Sequence, residues 1–195
     1  MGQVFTRIAV TAGLAAVLSL PAAAATSSWQ IDPAHSSAQF AVKHLAISTV
    51  RGAFTSVKGS IQLDDKDITK SSVNATIDVT GLDTGVAPRD NDLKSNSYFD
   101  VEQYATATFT STSVAKGGSG LLINGNLTLH GITKPVVLDV SGPTGPITGM
   151  DKKPHVGFEA KTTIHRLDFG IGTKVPEAIL SDAVQLTIEL DAAKQ

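Results

Sequence analysis

Three stretches of the chain alternate apolar and polar residues with a period of two. Val73, Ala75, Ile77 and Val79 are interleaved with Asn74, Thr76, Asp78 and Thr80. Val156, Phe158, Ala160, Thr162 and Ile164 are interleaved with His155, Gly157, Glu159, Lys161 and Thr163. Val184, Leu186, Ile188 and Leu190 are interleaved with Gln185, Thr187 and Glu189. Successive side chains of a strand point to opposite faces, so each stretch predicts a strand whose apolar face covers an interior. Residues 37–44, 50–63, 106–114, 121–130 and 136–140 predict further strands. Turn chemistry separates them, with a polar turn at 63–67 and a glycine-rich hairpin loop at 116–120. About eight strands result, enough to close a barrel around one small ligand.

The period fails in three places. Residues 88–96 carry an early Pro88, several charges and a Leu93 flanked by polar neighbours, which predicts one short surface helix. Residues 176–180 suggest a second helical turn. Residues 141–154 are rich in Gly and Pro and read as an irregular loop. No internal repeat or second domain is visible, so the fold class is all-β in a single unit.

The first residues have a different character. Arg7 is followed by an uncharged apolar run from Ile8 to Leu20, then Pro21 and the small residues Ala22 to Ala25. Basic start, apolar run and small-residue cleavage site are the three parts of a secretory signal. The reading is a cleaved signal at 1–25 and a domain at 26–195. The run is shorter than the about 20 residues of a comfortable membrane span, which disfavours the alternative of an uncleaved anchor. A bacterial periplasm is the expected location, with full secretion as the alternative.

Cysteine is absent, so disulfides, thiol chemistry and thiolate metal sites are excluded. The whole chain has 16 basic and 18 acidic residues, and loss of Arg7 with the signal would make the balance slightly more negative. No stretch concentrates positive charge, which argues against a nucleic-acid partner.

Candidate chemistry is sparse. Asp32, His35 and Ser48 are the right residue types for an acid, base and nucleophile. However, Ser48 lacks the glycines of a nucleophile elbow, and Asp32-Pro33-Ala34-His35 reads as a turn. His35, His44, His130, His155 and His165 show no short ligand spacing, so no metal is expected. Arg89-Asp90-Asn91-Asp92 would suit a cation or polar head group, but also a helix start. Trp29, Phe40, Phe54, Phe99, Phe109, Phe158 and Phe169 are spread along the chain. They fit either a packed sandwich core or the wall of an apolar lumen.

Four stretches in order resemble the YceI-like family, also called polyisoprenoid-binding periplasmic proteins. The first is Trp29-Gln30-Ile31-Asp32-Pro33-Ala34-His35-Ser36, running on through Phe40-Ala41-Val42-Lys43-His44 to Thr49-Val50-Arg51-Gly52-Ala53-Phe54. The second is Arg89-Asp90-Asn91-Asp92-Leu93-Lys94-Ser95 with Phe99-Asp100-Val101. The third is Ala105-Thr106-Ala107-Thr108-Phe109 with the stretch from Gly125 to Val136. The fourth is Arg166-Leu167-Asp168-Phe169-Gly170-Ile171-Gly172 with Leu180-Ser181-Asp182. Asn96-Ser97-Tyr98 departs mildly from the family pattern. The resemblance spans Trp29 to Leu190.

The resemblance implies an extended lipocalin-like, eight-stranded antiparallel barrel with an apolar lumen and no catalytic set. The expected ligand is a long isoprenoid lipid, of polyprenol or ubiquinone type, held for transport or storage. Alternatives are stress-related sequestration of fatty amphiphiles and a secreted hydrolase. Inward Phe40, Val42, Phe54, Ile77, Phe109, Leu127 and Phe158 are the expected lumen residues. Arg51, Asp90, His130 and Asp168 are the candidate polar anchors at the mouth. A catalytic cofactor is not expected. Transient contact with membranes and a homodimer are both compatible with such a carrier.

Overall fold

The structure, a computed structural model, describes residue 2, residues 26–118 and residues 120–195. Apart from Gly2, the predicted signal at 1–25 lies outside the described residues. The strand segments are β1 (Thr26–Ile31), β2 (Ser37–His44), β3 (Ser48–Phe54), β4 (Val57–Asp64), β5 (Ser72–Asp78) and β6 (Leu82–Asp83). They continue with β7 (Thr106–Gly117), β8 (Gly120–Leu129), β9 (Ile132–Thr148), β10 (Pro154–His165) and β11 (Leu180–Lys194). Helix α1 (Ala87–Lys94) lies between β6 and β7.

These segments make eight staves. β1 and β2 run in succession along one edge of β11, with Trp29 opposite Lys194 and His44 opposite Leu180. β3 and β4 pair in turn with β2 and β1, and β6 and β5 with β3 and β4. Each of these three pairs is one stave with an interruption. β7, β8, β9, β10 and β11 complete the ring as single staves, and all neighbours are antiparallel. Among the described residues, the result is a closed up-and-down barrel with one short helix, as the family resemblance implies. Closure removes the free sheet edges that an open sheet would expose.

The first interruption shows how the chain manages a break. Pro33 cannot donate a ladder bond. The Asp32 carboxylate accepts from Ala34 N at 2.9 Å, forming a turn. Across the gap, Asp32 N donates to Asp191 O at 2.8 Å, and the buried Ser36 hydroxyl accepts from Asp191 N at 3.0 Å. A side chain thus replaces the ladder bonds that the turn removes.

Strand direction sorts the connections into two ends. The helix end carries residues 45–47, the α1 segment, residues 130–131 and residues 166–179. The hairpin end carries residues 65–71, residue 118 and residues 149–153. Inward positions form the core, including Phe40, Phe54, Val57, Phe109, Val140 and Phe158.

The structure corrects several boundaries. Residues 141–148 are not a loop but the second half of β9. The ladder to β10 carries register shifts between His155 and Gly157 and between Gly157 and Glu159. Pro143 and Pro146 fall at the unpaired positions there, where their missing N–H groups interrupt nothing. Thr26–Ile31 is a strand that the alternation did not reveal, because Ser27 occupies one of its inward positions. Residues 176–180 form one hydrogen-bonded turn, with Leu180 N donating to Pro176 O at 3.1 Å, and Leu180 already begins β11.

Candidate functional site: an apolar lumen and its helix end

The barrel is hollow. Its interior holds a cavity of about 190 Å³ whose surface is entirely hydrocarbon. All seven expected lumen residues, Phe40, Val42, Phe54, Ile77, Phe109, Leu127 and Phe158, line it. Period two places them there, since each occupies an inward position of its strand.

Glycines make room for two of the aromatic rings. Gly52 faces Phe40 across the β2–β3 ladder, and a Cβ at 52 would stand 2.4 Å from Phe40 Cζ. A Cβ at Gly125 would stand 2.3 Å from Phe109 Cζ and 2.6 Å from the Thr110 carbonyl oxygen. Each ring therefore occupies the space that a side chain at the facing glycine would need. Phe54 packs on Phe40 and, edge to face, on Phe99, each with ring centroids 5.7 Å apart. Phe99 reaches the wall from the segment after α1.

An empty apolar cavity is unfavourable. At roughly 24 cal/mol per Å³, a void of this size costs about 5 kcal/mol relative to a filled core. Water gains little there, because a buried water needs polar partners and the wall presents none.

Among the described residues, the one charged side chain on the wall is Arg166, 2% exposed, whose chain contributes to the lining while its head points into the helix end. It lies in the Arg166–Phe169 turn after β10. Its guanidinium donates to Ile171 O at 3.0 Å, Gly172 O at 2.6 Å, Val175 O at 2.9 Å, Leu180 O at 2.9 Å and Ser181 O at 3.1 Å. All five donors of the planar fork are used. Arg166 therefore organises the 166–180 connection and has no donor left for a ligand. Sequence reasoning placed it in a motif without a role.

The four candidate mouth residues all lie near the helix end, but none lines the cavity. Arg51 and Asp168 are exposed on the outside. His130 Nδ1 bonds Phe169 O at 2.9 Å, and its ring stacks edgewise on Tyr104. Asp90 accepts from Thr84 N at 2.9 Å and also from the Thr84 hydroxyl, which holds its carboxyl below the ordinary carboxylate value. Arg89 grips the same residue, with Nε donating to Thr84 Oγ1 at 2.8 Å and a terminal nitrogen to Thr84 O at 3.0 Å. The Arg89–Asp90 pair thus ties α1 to the strand before it. It does not cap the helix, whose N-cap is Val86.

The remaining candidates do not assemble. Ser48 and His35 lie at opposite ends of β2, and eight residues at about 3.3 Å each separate them by more than about 20 Å. Ser48 Oγ donates to His44 O at 3.4 Å, while His35 bonds Asp32 at 2.7 Å. His165 bonds Asp182 at 2.8 Å, and His155 sits between Asp191 at 2.6 Å and Asp151 at 3.1 Å. Among the described residues, no group of three or more His, Asp or Glu is placed to hold a metal ion.

A closed eight-stranded meander around a hydrocarbon-walled cavity defines a hollow-barrel protein of the lipocalin-like kind. The chain belongs to the YceI-like domain family, whose model matches residues 29–192. It is 34% identical over 190 residues to a UPF0312 protein of Vibrio campbellii, covering 94% of this chain and 96% of that one. Among solved structures, Burkholderia cenocepacia BcnA superposes with a TM-score of 0.73 at 26% identity, covering 83% of this chain and 98% of that one. A polyisoprenoid-binding domain from Saccharophagus degradans superposes with a TM-score of 0.65 over 87% of this chain and 99% of that one. Its 14% identity extends the likeness to the fold alone.

Proposed function

We propose that this protein binds a long isoprenoid lipid, of polyprenol or ubiquinone type, inside the barrel, and that it carries or stores this lipid without chemical change. The observation that carries the reading is the cavity wall, which offers hydrocarbon and no polar atom. Each buried CH₂ contributes about 0.8 kcal/mol, so a five-carbon isoprene unit contributes about 4 kcal/mol on leaving water. The wall has no donor or acceptor with which to select a head group inside, so the head group stays at one end of the bore. The polyisoprenoid-binding domain with the same fold supports this ligand class. The distance of Ser48 from the hydrogen-bonded Asp32–His35 pair favours binding over hydrolysis.

We further propose that the chain is exported and cleaved after Ala25, on the three-part pattern of residues 1–25. N-terminal sequencing of protein from the periplasmic fraction should give Thr26 first. A membrane-bound chain retaining Met1 would overturn that proposal.

The lipid reading is tested by native mass spectrometry of the wild type, Phe40→Asp and Phe54→Asp, with circular dichroism to check folding. The wild type should carry or take up polyprenol or ubiquinone. The folded variants should not, because each sets an unpaired charge against hydrocarbon. A folded wild type that takes up neither lipid would mean that the interior is only a loosely packed core.

A further inference from the structure

The exposed large hydrophobic side chains are unevenly placed. Leu45, Ile47, Val86, Ile132, Leu167 and Ile179 belong to the helix end, Ile147 and Met150 to the hairpin end, and Val137 to the body of β9. Three of the first group form a tip. Leu45 N donates to Ile179 O at 2.8 Å, so the β2–β3 turn lies beside the segment that leads into β11. Ile47, on the same turn, is 84% exposed.

The turn itself is unusual. Leu45 and Ala46 have φ of 52° and 59°, and Ile47 N closes the turn on His44 O at 3.2 Å. Two consecutive left-handed positions in a hairpin favour Asn and Gly. The chain places Leu and Ala there against that preference.

Positive charge stands behind the tip. Lys43 and Arg51 are both exposed on the outward face of β2 and β3. Lys43 is opposite Thr49 and Arg51 opposite Ala41, which makes the two cations diagonal neighbours. Neither joins an ion pair among the described residues. Of the carboxylates on the adjoining segment, Asp182 is bonded to His165 and to Leu167 N, which leaves Asp168 and Glu177 as the opposing charges. An apolar tip backed by cations complements an anionic bilayer, where aliphatic groups enter the acyl boundary and cations meet phosphates.

We propose that the helix end docks tip first on an anionic phospholipid membrane through Leu45, Ile47 and Ile179, with Lys43 and Arg51 against the phosphates. The proposal deepens the lipid-lumen reading and rests on it for the choice of a lipid surface as occupant. The path is short, since Ile179 is on the tip and its neighbour Leu180 lines the cavity.

The test is flotation with vesicles of phosphatidylcholine alone and of phosphatidylcholine with phosphatidylglycerol. The proteins are the wild type, Ile47→Asp, Ile179→Asp, the pair Lys43→Glu/Arg51→Glu, and the opposite-end control Ile147→Asp/Met150→Asp. The wild type and the control should float with anionic vesicles. Each tip variant and the charge-reversed pair should bind at least about tenfold more weakly. Equal binding by wild type and tip variants, or loss in the control alone, overturns the proposal. So does a wild-type dimer in analytical ultracentrifugation that Ile47→Asp splits, which would assign the tip to a second copy. A parallel arm presents polyprenol from dilute ethanol without vesicles. Uptake there without vesicle binding refutes docking and keeps the lumen reading. Vesicle binding through the tip without uptake refutes the lumen reading and keeps the docking surface.

Discussion

The guanidinium of Arg166 donates to the carbonyl of Gly172 at 2.6 Å, folding the intervening chain around a side chain that also lines the cavity. Replacing Arg166 with Met should strand five carbonyls in a buried site. The expected loss is about 3–5 kcal/mol of unfolding free energy, read by urea denaturation. Arg166→Lys should recover only part of it, because an ammonium has three donors and no planar fork. A loss under about 1 kcal/mol in Arg166→Met would mean that the connection holds without its centre.

The cavity makes opposite predictions for stability and for binding. Ala160 lines the bore and is 4% exposed. Ala160→Phe should fill empty space, so the ligand-free protein should melt at the same or a higher temperature while lipid uptake falls. In a fully packed core the same change would overpack and cost about 1–3 kcal/mol. Calorimetry and native mass spectrometry on one sample separate the two outcomes.

Gly125 should not tolerate a side chain. A Cβ there meets both the Phe109 ring and the Thr110 carbonyl oxygen, and a backbone atom cannot swing away. Gly125→Ala should lower stability by about 1–3 kcal/mol in chemical denaturation. Phe109→Leu in the same chain should restore little of the loss, since the carbonyl contact remains.

His155 should make stability depend on pH. Its hydrogen bond to Asp191, then that to Asp151, raises its pKa above the ordinary 6.5. A raised folded pKa means that the charged ring stabilises the fold below the unfolded value and that this is lost as pH rises through the folded one. Asp151 is held below 3.8, first by the Lys153 N–H and then by His155, so the carboxylate persists well into acid. The melting-temperature gap between wild type and His155→Gln should therefore be larger at about pH 5.5 than at about pH 9. A gap that widens toward alkaline pH would contradict the assigned pairing.

The tip turn should trade stability against docking. Leu45→Asn/Ala46→Gly supplies residues that favour the left-handed region, where others cost roughly 1–2 kcal/mol each. The double variant should melt higher than wild type yet float less with anionic vesicles.

How far the chain could be read depended on the kind of information each feature carries. The predicted strand at residues 37–44 matches β2, and the inward Phe40, Phe54, Phe109 and Phe158 land on the wall, because alternation encodes the face directly. The second half of β9 was hidden, because Gly-Pro pairs that mark a turn also mark bulges in a long strand. The polar anchors were not legible. Arg51, Asp90, His130 and Asp168 are the right residue types at the right end, but orientation and partners decide what they do, and periodicity is silent on both. Arg166 left no local signal, since the carbonyls that it gathers belong to the backbone.

Closure has a consequence for how the protein is made. β1, at residues 26–31, is sealed to β11 at residues 192–194, so the wall is complete only when nearly the whole chain is available. Every shorter nascent chain is an open sheet with unpaired edges and an uncovered apolar face, the species most prone to aggregate. Closure must wait until residues 192–194 are available, and a chaperone that holds the chain extended until then would act on the molecule's natural folding order.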